Sequence, residues 1–254
     1  MTIAKHNIKK VTEKRWKEAL EAEKLFATQS IPADNYMNQW WYEQFDNYSL
    51  LAGRTFEHVL EVGCGPHTNI RFILPIIQYR HLYLNDPLIQ YYFSISRHNP
   101  ASKSCMKWVN RLLRINQPTC QSEVLFTSGD HQLDLCASKL EELPYRDSLM
   151  DLIICINVLD HVQDYDQCMR EIYRVLRLGG VLVLGQDLTN EEDYSNCPES
   201  FTDPAHPIKL DHHVLEETLN PSYQSQMNLI LPREAGRNPA AHYSTYLGIL
   251  TRIK

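Results

Sequence analysis

Glycine is scarce in this chain, nine residues in 254. Five of the nine are Gly63, Gly65, Gly179, Gly180 and Gly185, so backbone freedom is held back for a few turns. No internal repeat or low-complexity segment occurs. No apolar run approaches the roughly 20 residues that span a bilayer, which excludes a membrane-spanning helix. The opening Met1-Thr2-Ile3-Ala4-Lys5-His6 has no apolar signal core, so no secretory leader is expected. No basic stripe stands out and the formal net charge is −6, which argues against a nucleic-acid partner. Lys9, Lys10, Lys14, Arg15 and Lys17 cluster locally, but Glu13 and Glu18 interrupt them and they read as a solvated helix face. Cysteines number seven, an odd count with no Cys-x-x-Cys pair. That pattern predicts reduced, packed thiols in a cytoplasmic protein and no structural zinc.

What is present reads as one α/β domain with a sizeable core. Trp16, Ala19, Leu20 and Phe26 recur at near-helical spacing, and Tyr36, Trp40, Trp41 and Phe45 suggest a second, aromatic helix after the break at Ser30–Asp34. These predict an N-terminal helical cap over residues 1–54, part of the same domain as residues 55–254. From about residue 57 strands and helices alternate, the pattern of a parallel sheet. Strands are predicted at His58–Val62, His81–Asp86, Ser122–Thr127, Met150–Ile156, Val181–Leu184, Gln226–Leu231 and His242–Arg252. Helices are predicted at Ile70–Tyr79, Pro87–Arg97 and Asp164–Arg177, with a helical insertion over residues 98–118 carrying Trp108, Leu112 and Leu113. Gly179-Gly180 reads as the stop of the helix at Asp164–Arg177.

Chemistry concentrates at Val59-Leu60-Glu61-Val62-Gly63-Cys64-Gly65-Pro66, a buried strand running into a two-glycine turn. Such a turn serves either a strand-to-helix connection or a ligand approached closely by backbone. The third glycine of a dinucleotide fingerprint is missing, Asn69 standing near its place, and Glu61 would repel a pyrophosphate. A cationic ligand suits this turn better than a polyanion. The second strand ends at Asp86, which reads either as a helix cap ahead of Pro87 or as an acceptor for a ribose diol. Next come Lys139-Leu140-Glu141-Glu142-Leu143-Pro144-Tyr145, then Asp147 to Cys155, then Asn157-Val158-Leu159-Asp160-His161-Val162, and last Arg174 to Leu184.

These four features in this order resemble the class I S-adenosylmethionine-dependent methyltransferases over about residues 57–186. The resemblance implies a Rossmann-like, doubly wound, seven-stranded sheet whose last strand is antiparallel. It implies S-adenosylmethionine as cofactor, with Glu61, Gly63 and Gly65 at its methionine end and Asp86 on the ribose hydroxyls. Ser138 and Leu140 would lie by the adenine, and Asn157 would close the pocket over the sulfonium. Lys139 stands where many members carry an acidic residue, which moves the adenine contact to backbone groups of residues 138–140.

A methyl acceptor that loses a proton wants a base nearby. His161, at the sheet's carboxyl edge, is the first candidate, or else a histidine packed at a helix start. Asp187 is the second. Tyr36, Trp40 and Trp41 form either an aromatic wall for substrate or cap core, and Glu23 either binds substrate or edges its helix. His206, in Asp203-Pro204-Ala205-His206-Pro207 ahead of His212 and His213, lies in the region that varies in this superfamily and is a substrate candidate. No carboxylate–histidine spacing there predicts a metal. Arg233-Glu234, Arg237 and His242 are candidates for a polar or anionic substrate. The reading that results is methyl transfer to an oxygen or nitrogen of a small molecule, a sugar or secondary metabolite by analogy. Its rivals are a protein methyltransferase, a non-catalytic scaffold of the same fold, and a nicotinamide oxidoreductase, which Glu61 and the missing glycine disfavour.

Overall fold

The computed structural model describes residues 7–30, 36–98, 126–128, 131–189, 203–236 and 244–254. The strand that organises the fold is β5 (Met150–Ile156), apolar except at Asp151 and buried on both faces. Alternate residues divide between two cores. Leu152, Ile154 and Ile156 pack with Trp41, Phe45, Ile70 and Tyr92 on one side of the sheet. Ile153 and Cys155 pack with Met169, Ile172 and Leu215 on the other.

Around it lie β1 (Thr55–Val62), β2 (Gln78–Asn85), β4 (His131–Cys136) and β6 (Leu176–Leu188), all parallel to β5. β8 (Ser244–Arg252) runs antiparallel between β6 and β7 (Tyr223–Leu231). The seven strands in the order β4-β2-β1-β5-β6-β8-β7 form the expected sheet, with its last strand reversed. A three-residue β3 (Phe126–Ser128) extends the far edge, antiparallel to β4. Helices α1 (Glu13–Ser30) and α2 (Tyr36–Gln44) form the N-terminal cap. No described helix is long and apolar enough to cross a membrane. Cys64, Cys136, Cys155 and Cys168 are buried and form no disulfide with one another.

Four local expectations are corrected. The third parallel strand is β4 at His131–Cys136, because its residues pair in register with His81–Asn85; Ser122–Leu125 lie outside the described residues. The helix expected at Ile70–Tyr79 is one α turn, α3 (Ile70–Ile73), and one 3-10 turn with Pro75, since β2 already starts at Gln78. Helix α4 covers Ile89–His98, behind a turn at Pro87. Helix α5 (Tyr165–Val175) ends before the glycines, because Leu176 pairs with Met150; Gly179 and Gly180 therefore lie within β6. Trp108, Leu112, Leu113, Arg237 and His242 lie outside the described residues.

Helix α5 starts where the Asp164 side chain accepts from the Gln167 N–H at 3.0 Å, a cap on the first turn. Asp164→Ala is expected to cost about 1–2 kcal/mol, readable as a lowered urea midpoint with unchanged slope.

Candidate functional site

The carboxyl ends of β1, β2 and β5 open into a cavity of about 430 Å³, within the roughly 300–1,000 Å³ usual for small-ligand sites. Its floor is the glycine turn. Gly63 and Gly65 both adopt left-handed backbone, at φ 58° and 56°. A Cβ on Gly63 would stand 2.5 Å from a Val158 methyl, whereas nothing lies within 4 Å of one on Gly65. One glycine thus admits its neighbour and the other faces open space. The turn is held by Cys64 N–H on the Asn85 carbonyl at 3.1 Å and by Asn38 Nδ2 on the His67 carbonyl at 2.6 Å.

Asp86 lines the cavity, accepting from Gly65 N–H at 3.0 Å and Leu88 N–H at 2.7 Å. Burial pushes its pKa up to about 6 against the pull of those two N–H groups. Leu140, on a 3-10 turn, and Asn157 also line the wall. Asn157 ends β5 in left-handed backbone, φ 57°, its N–H on the Gly185 carbonyl at 2.7 Å. Asparagine tolerates that conformation better than most residues, and such outliers cluster at ligand sites.

Three of the residues expected at the cofactor or reaction end are not in the cavity wall. Glu61 is 1% exposed beneath the turn, its carboxylate accepting from the Thr68 hydroxyl, Asn69 N–H at 2.8 Å and Ile70 N–H at 3.2 Å. It holds the start of α3, and burial raises its pKa to about 8 despite those donors. Ser138 receives the Asn85 amide on both its carbonyl and hydroxyl oxygens at 2.9 Å, tying β4 to β2. Asp187 is buried within β6 and accepts from the Thr245 hydroxyl of β8 at 2.9 Å. Lys139 does reach the wall, but its ammonium sits 3.9 Å over the Trp16 ring and donates to Gln163.

Helix α1 lines the same cavity with Trp16, Leu20, Glu23, Phe26 and Ala27. There His161 lines the wall with its Nδ1 3.4 Å from the Glu23 carboxylate and 3.2 Å from the Ala205 carbonyl. His206 stands behind it, ring centres 4.4 Å apart, with Nδ1 2.5 Å from Asp203. Burial alone would lower the His206 pKa, but the Asp203 bond and the Asp160 charge raise it overall. Burial likewise works against the Asp203 charge, yet His206 holds that carboxyl well below the usual range.

Trp41 is in the wall; Trp40 packs edge-on against it, 5.0 Å between ring centres, outside the cavity. Tyr36 begins α2, and its side chain lies outside the described residues. His212 and His213 stack on each other at the start of α6 (His212–Leu219), and Arg233 lies on the turn after β7; none of these lines the cavity. Sequence reasoning assigned no site role to Asn38, Asn69, Asn85, Tyr92 or Glu141, all in the wall. The α1 stripe was visible as helical periodicity, though not as the lining of a site.

A family described as a methyltransferase domain matches residues 103–184. That stretch is about a third of the chain, and over it the sequence is similar to a methyltransferase domain. Among curated relatives, the sarcosine/dimethylglycine N-methyltransferase of Halorhodospira halochloris is 30% identical over 97 residues, 38% of this chain and 32% of that one. An uncharacterised Methanocaldococcus jannaschii protein is 38% identical over 73 residues, 28% of this chain and 32% of that one. The chain thus matches about a third of the length of these relatives. In fold it resembles the Burkholderia thailandensis 1,6-didemethyltoxoflavin N1-methyltransferase, solved with its substrate and S-adenosylhomocysteine. There the TM-score is 0.59 at 12% identity, covering 100% of this chain and 98% of that one. The N-methyltransferase NodS of Bradyrhizobium japonicum, with S-adenosylhomocysteine, gives 0.54 at 14% identity, covering 91% and 100%.

Proposed function

We propose that this chain binds S-adenosylmethionine in the cavity and transfers its methyl group to an oxygen or nitrogen of a small molecule. The observation that carries the reading is one cavity whose wall gathers Gly63, Gly65, Asp86, Leu140 and Asn157 together with the α1 roof and His161. Residues 55–254 would carry the transferase unit, with residues 1–54 as its cap.

The wall suits the cofactor in three respects. The space over Gly65 admits a ligand at backbone distance. Asn69 Oδ1 and Asn85 Oδ1 are buried acceptors with no hydrogen-bond partner, so a ligand's donors would satisfy them. Asp86 has one lone pair per oxygen beyond its two backbone bonds, enough for a ribose diol. When bound, S-adenosylmethionine supplies an electrophilic methyl on a sulfonium. Glu61 contributes by fixing the turn, while Asn157 shapes the wall beside the glycines.

The acceptor is left to α1 and the Glu23–His161 pair, which line the remaining wall. A roof of Trp16, Leu20 and Phe26 leaves room for a small molecule rather than a folded protein. The two relatives whose printed names state a methylated nitrogen compound favour nitrogen, and a sugar or secondary metabolite fits the same room. Buried cysteines that form no disulfide with one another and a net negative charge support a cytoplasmic setting without nucleic-acid partners.

Calorimetric titration with S-adenosylmethionine and with NAD tests the reading: one equivalent of the first and none of the second is expected. Binding of NAD alone would overturn it. With an acceptor in hand, His161→Ala is expected to lower kcat about 10²-fold with cofactor affinity nearly intact. Unchanged turnover removes His161 from the chemistry.

A further inference from the structure

We propose that Glu23, His161 and His206 hold a divalent transition-metal ion at the wall of the cavity, where an acceptor's hydroxyl or carboxylate oxygen completes its coordination. The acceptor half of this statement rests on the methyl-transfer reading; the ion half rests on the side chains alone.

The three residues come from distant parts of the chain, helix α1, the turn after β5 and the segment before α6. One ligand atom from each nevertheless lies within 4.8 Å of the others. A tetrahedral ion with bonds of about 2.0–2.2 Å has ligands about 3.5 Å apart, so closing on it needs shifts of about an ångström. Glu23 and His161 Nδ1 are already 3.4 Å apart.

A second observation concerns the other nitrogens. An imidazole that binds metal usually has a carboxylate or carbonyl on its opposite ring nitrogen, which fixes tautomer and orientation. Here Asp160 lies 3.6 Å from His161 Nε2, and Asp203 lies 2.5 Å from His206 Nδ1. His206 Nε2 then faces Asp160 at 3.9 Å. Asp160 itself is 9% exposed, and its Oδ1 has no hydrogen-bond partner.

Charge points the same way. Three carboxylates, Glu23, Asp160 and Asp203, gather about two imidazoles. The buried Lys209 ammonium faces Asp160 and Asp203, and the Arg15 guanidinium donates to the Asp203 carbonyl at 2.9 Å; these offset two of the three charges and leave the group net negative for a cation. Nitrogen–oxygen donor sets of this kind suit zinc, cobalt or manganese rather than magnesium or calcium. The described residues hold one other histidine–carboxylate group, Glu57, His58 and His81, but Glu57 is half exposed and paired with Arg80. That group lies away from the cavity and serves as an internal control.

Equilibrium dialysis of the full chain against Zn2+, and against Co2+ for its visible absorption, tests the site. One ion per chain is expected. His206→Ala and Glu23→Gln should each weaken it at least tenfold and remove the cobalt band, while His81→Ala leaves both within twofold. Wild-type protein with no stoichiometric ion, or His206→Ala binding as wild type does, would overturn the proposal. Thermal melts of each variant separate a lost ligand from a lost fold, and Glu23→Gln carries the test if His206→Ala does not fold. S-adenosylmethionine titration on the same samples is read separately. An ion bound without the cofactor upholds the site and removes the methyl-transfer reading; the cofactor bound without an ion does the reverse.

Discussion

Asp86→Ala is expected to lower affinity for S-adenosylmethionine by roughly 10²–10³-fold while changing stability little. Two hydroxyl donors on a carboxylate contribute about 1.5–3 kcal/mol each, so their joint loss is about 3–4 kcal/mol after imperfect geometry is allowed for. The stability side nearly cancels. Alanine strips the acceptors from Gly65 N–H and Leu88 N–H, at about 1–3 kcal/mol for each buried donor left unpaired. It also removes a carboxylate whose burial lifts its pKa from 3.8 to about 6, a native-state penalty of about 3 kcal/mol at neutral pH.

The same shift sets two pH dependences of opposite sign. With the folded pKa above the unfolded one, the native state holds more protons between about pH 4 and 6. This group's contribution to stability is therefore fully present below that window and is lost as pH rises through it. Cofactor affinity runs the other way, because the diol donates to the ionised form. Wild-type affinity should fall about tenfold per unit as pH drops below about 6, and the Asp86→Ala variant should show a flat profile there. Calorimetry from pH 5 to 8 checks both; a wild-type profile parallel to the variant's would remove Asp86 from the ribose.

Much of this architecture is written in local pattern. β5 is legible because a strand buried on both faces must be apolar at every position, and Met150–Ile156 nearly is. β4 is not, because Gln132 and Asp134 interrupt its apolar residues and only pairing with β2 identifies it. The end of α5 was misplaced for a related reason. Helical periodicity runs on through Leu176, and a tertiary event, its pairing with Met150, decides where the helix stops. Glu61 shows how a correct motif can carry a different local job. Its place before the glycines was plain, but the three donors that consume its carboxylate follow from how the turn folds back. The Glu23–His161–His206 group had no spacing to betray it, since only the closing of α1 over the sheet edge brings the three together.

The two glycines of the turn should fail in different ways, and the contrast separates fold from binding. Gly63→Ala meets both a left-handed φ of 58° and Val158 methyls at 2.5 and 2.8 Å. The backbone costs about 1–2 kcal/mol. Val158 is branched at Cβ and cannot swing aside within its rotamer, so overpacking adds about 1–3 kcal/mol. Together these should lower Tm by roughly 5–15 °C in a chain of this size. Gly65→Ala carries the same backbone cost at φ 56° but meets nothing within 4 Å, so its loss of stability should stop near 1–2 kcal/mol. Its methyl projects instead into the space a cofactor would occupy, and affinity should fall at least tenfold. Trimming the obstacle discriminates further. Gly63→Ala combined with Val158→Ala should be more stable than the sum of the two single losses, because the shared clash is gone. Gly65→Ala combined with Val158→Ala should be additive in stability. If Gly65→Ala instead melts as early as Gly63→Ala and binds cofactor as wild type does, the open side of this turn is not where the ligand approaches.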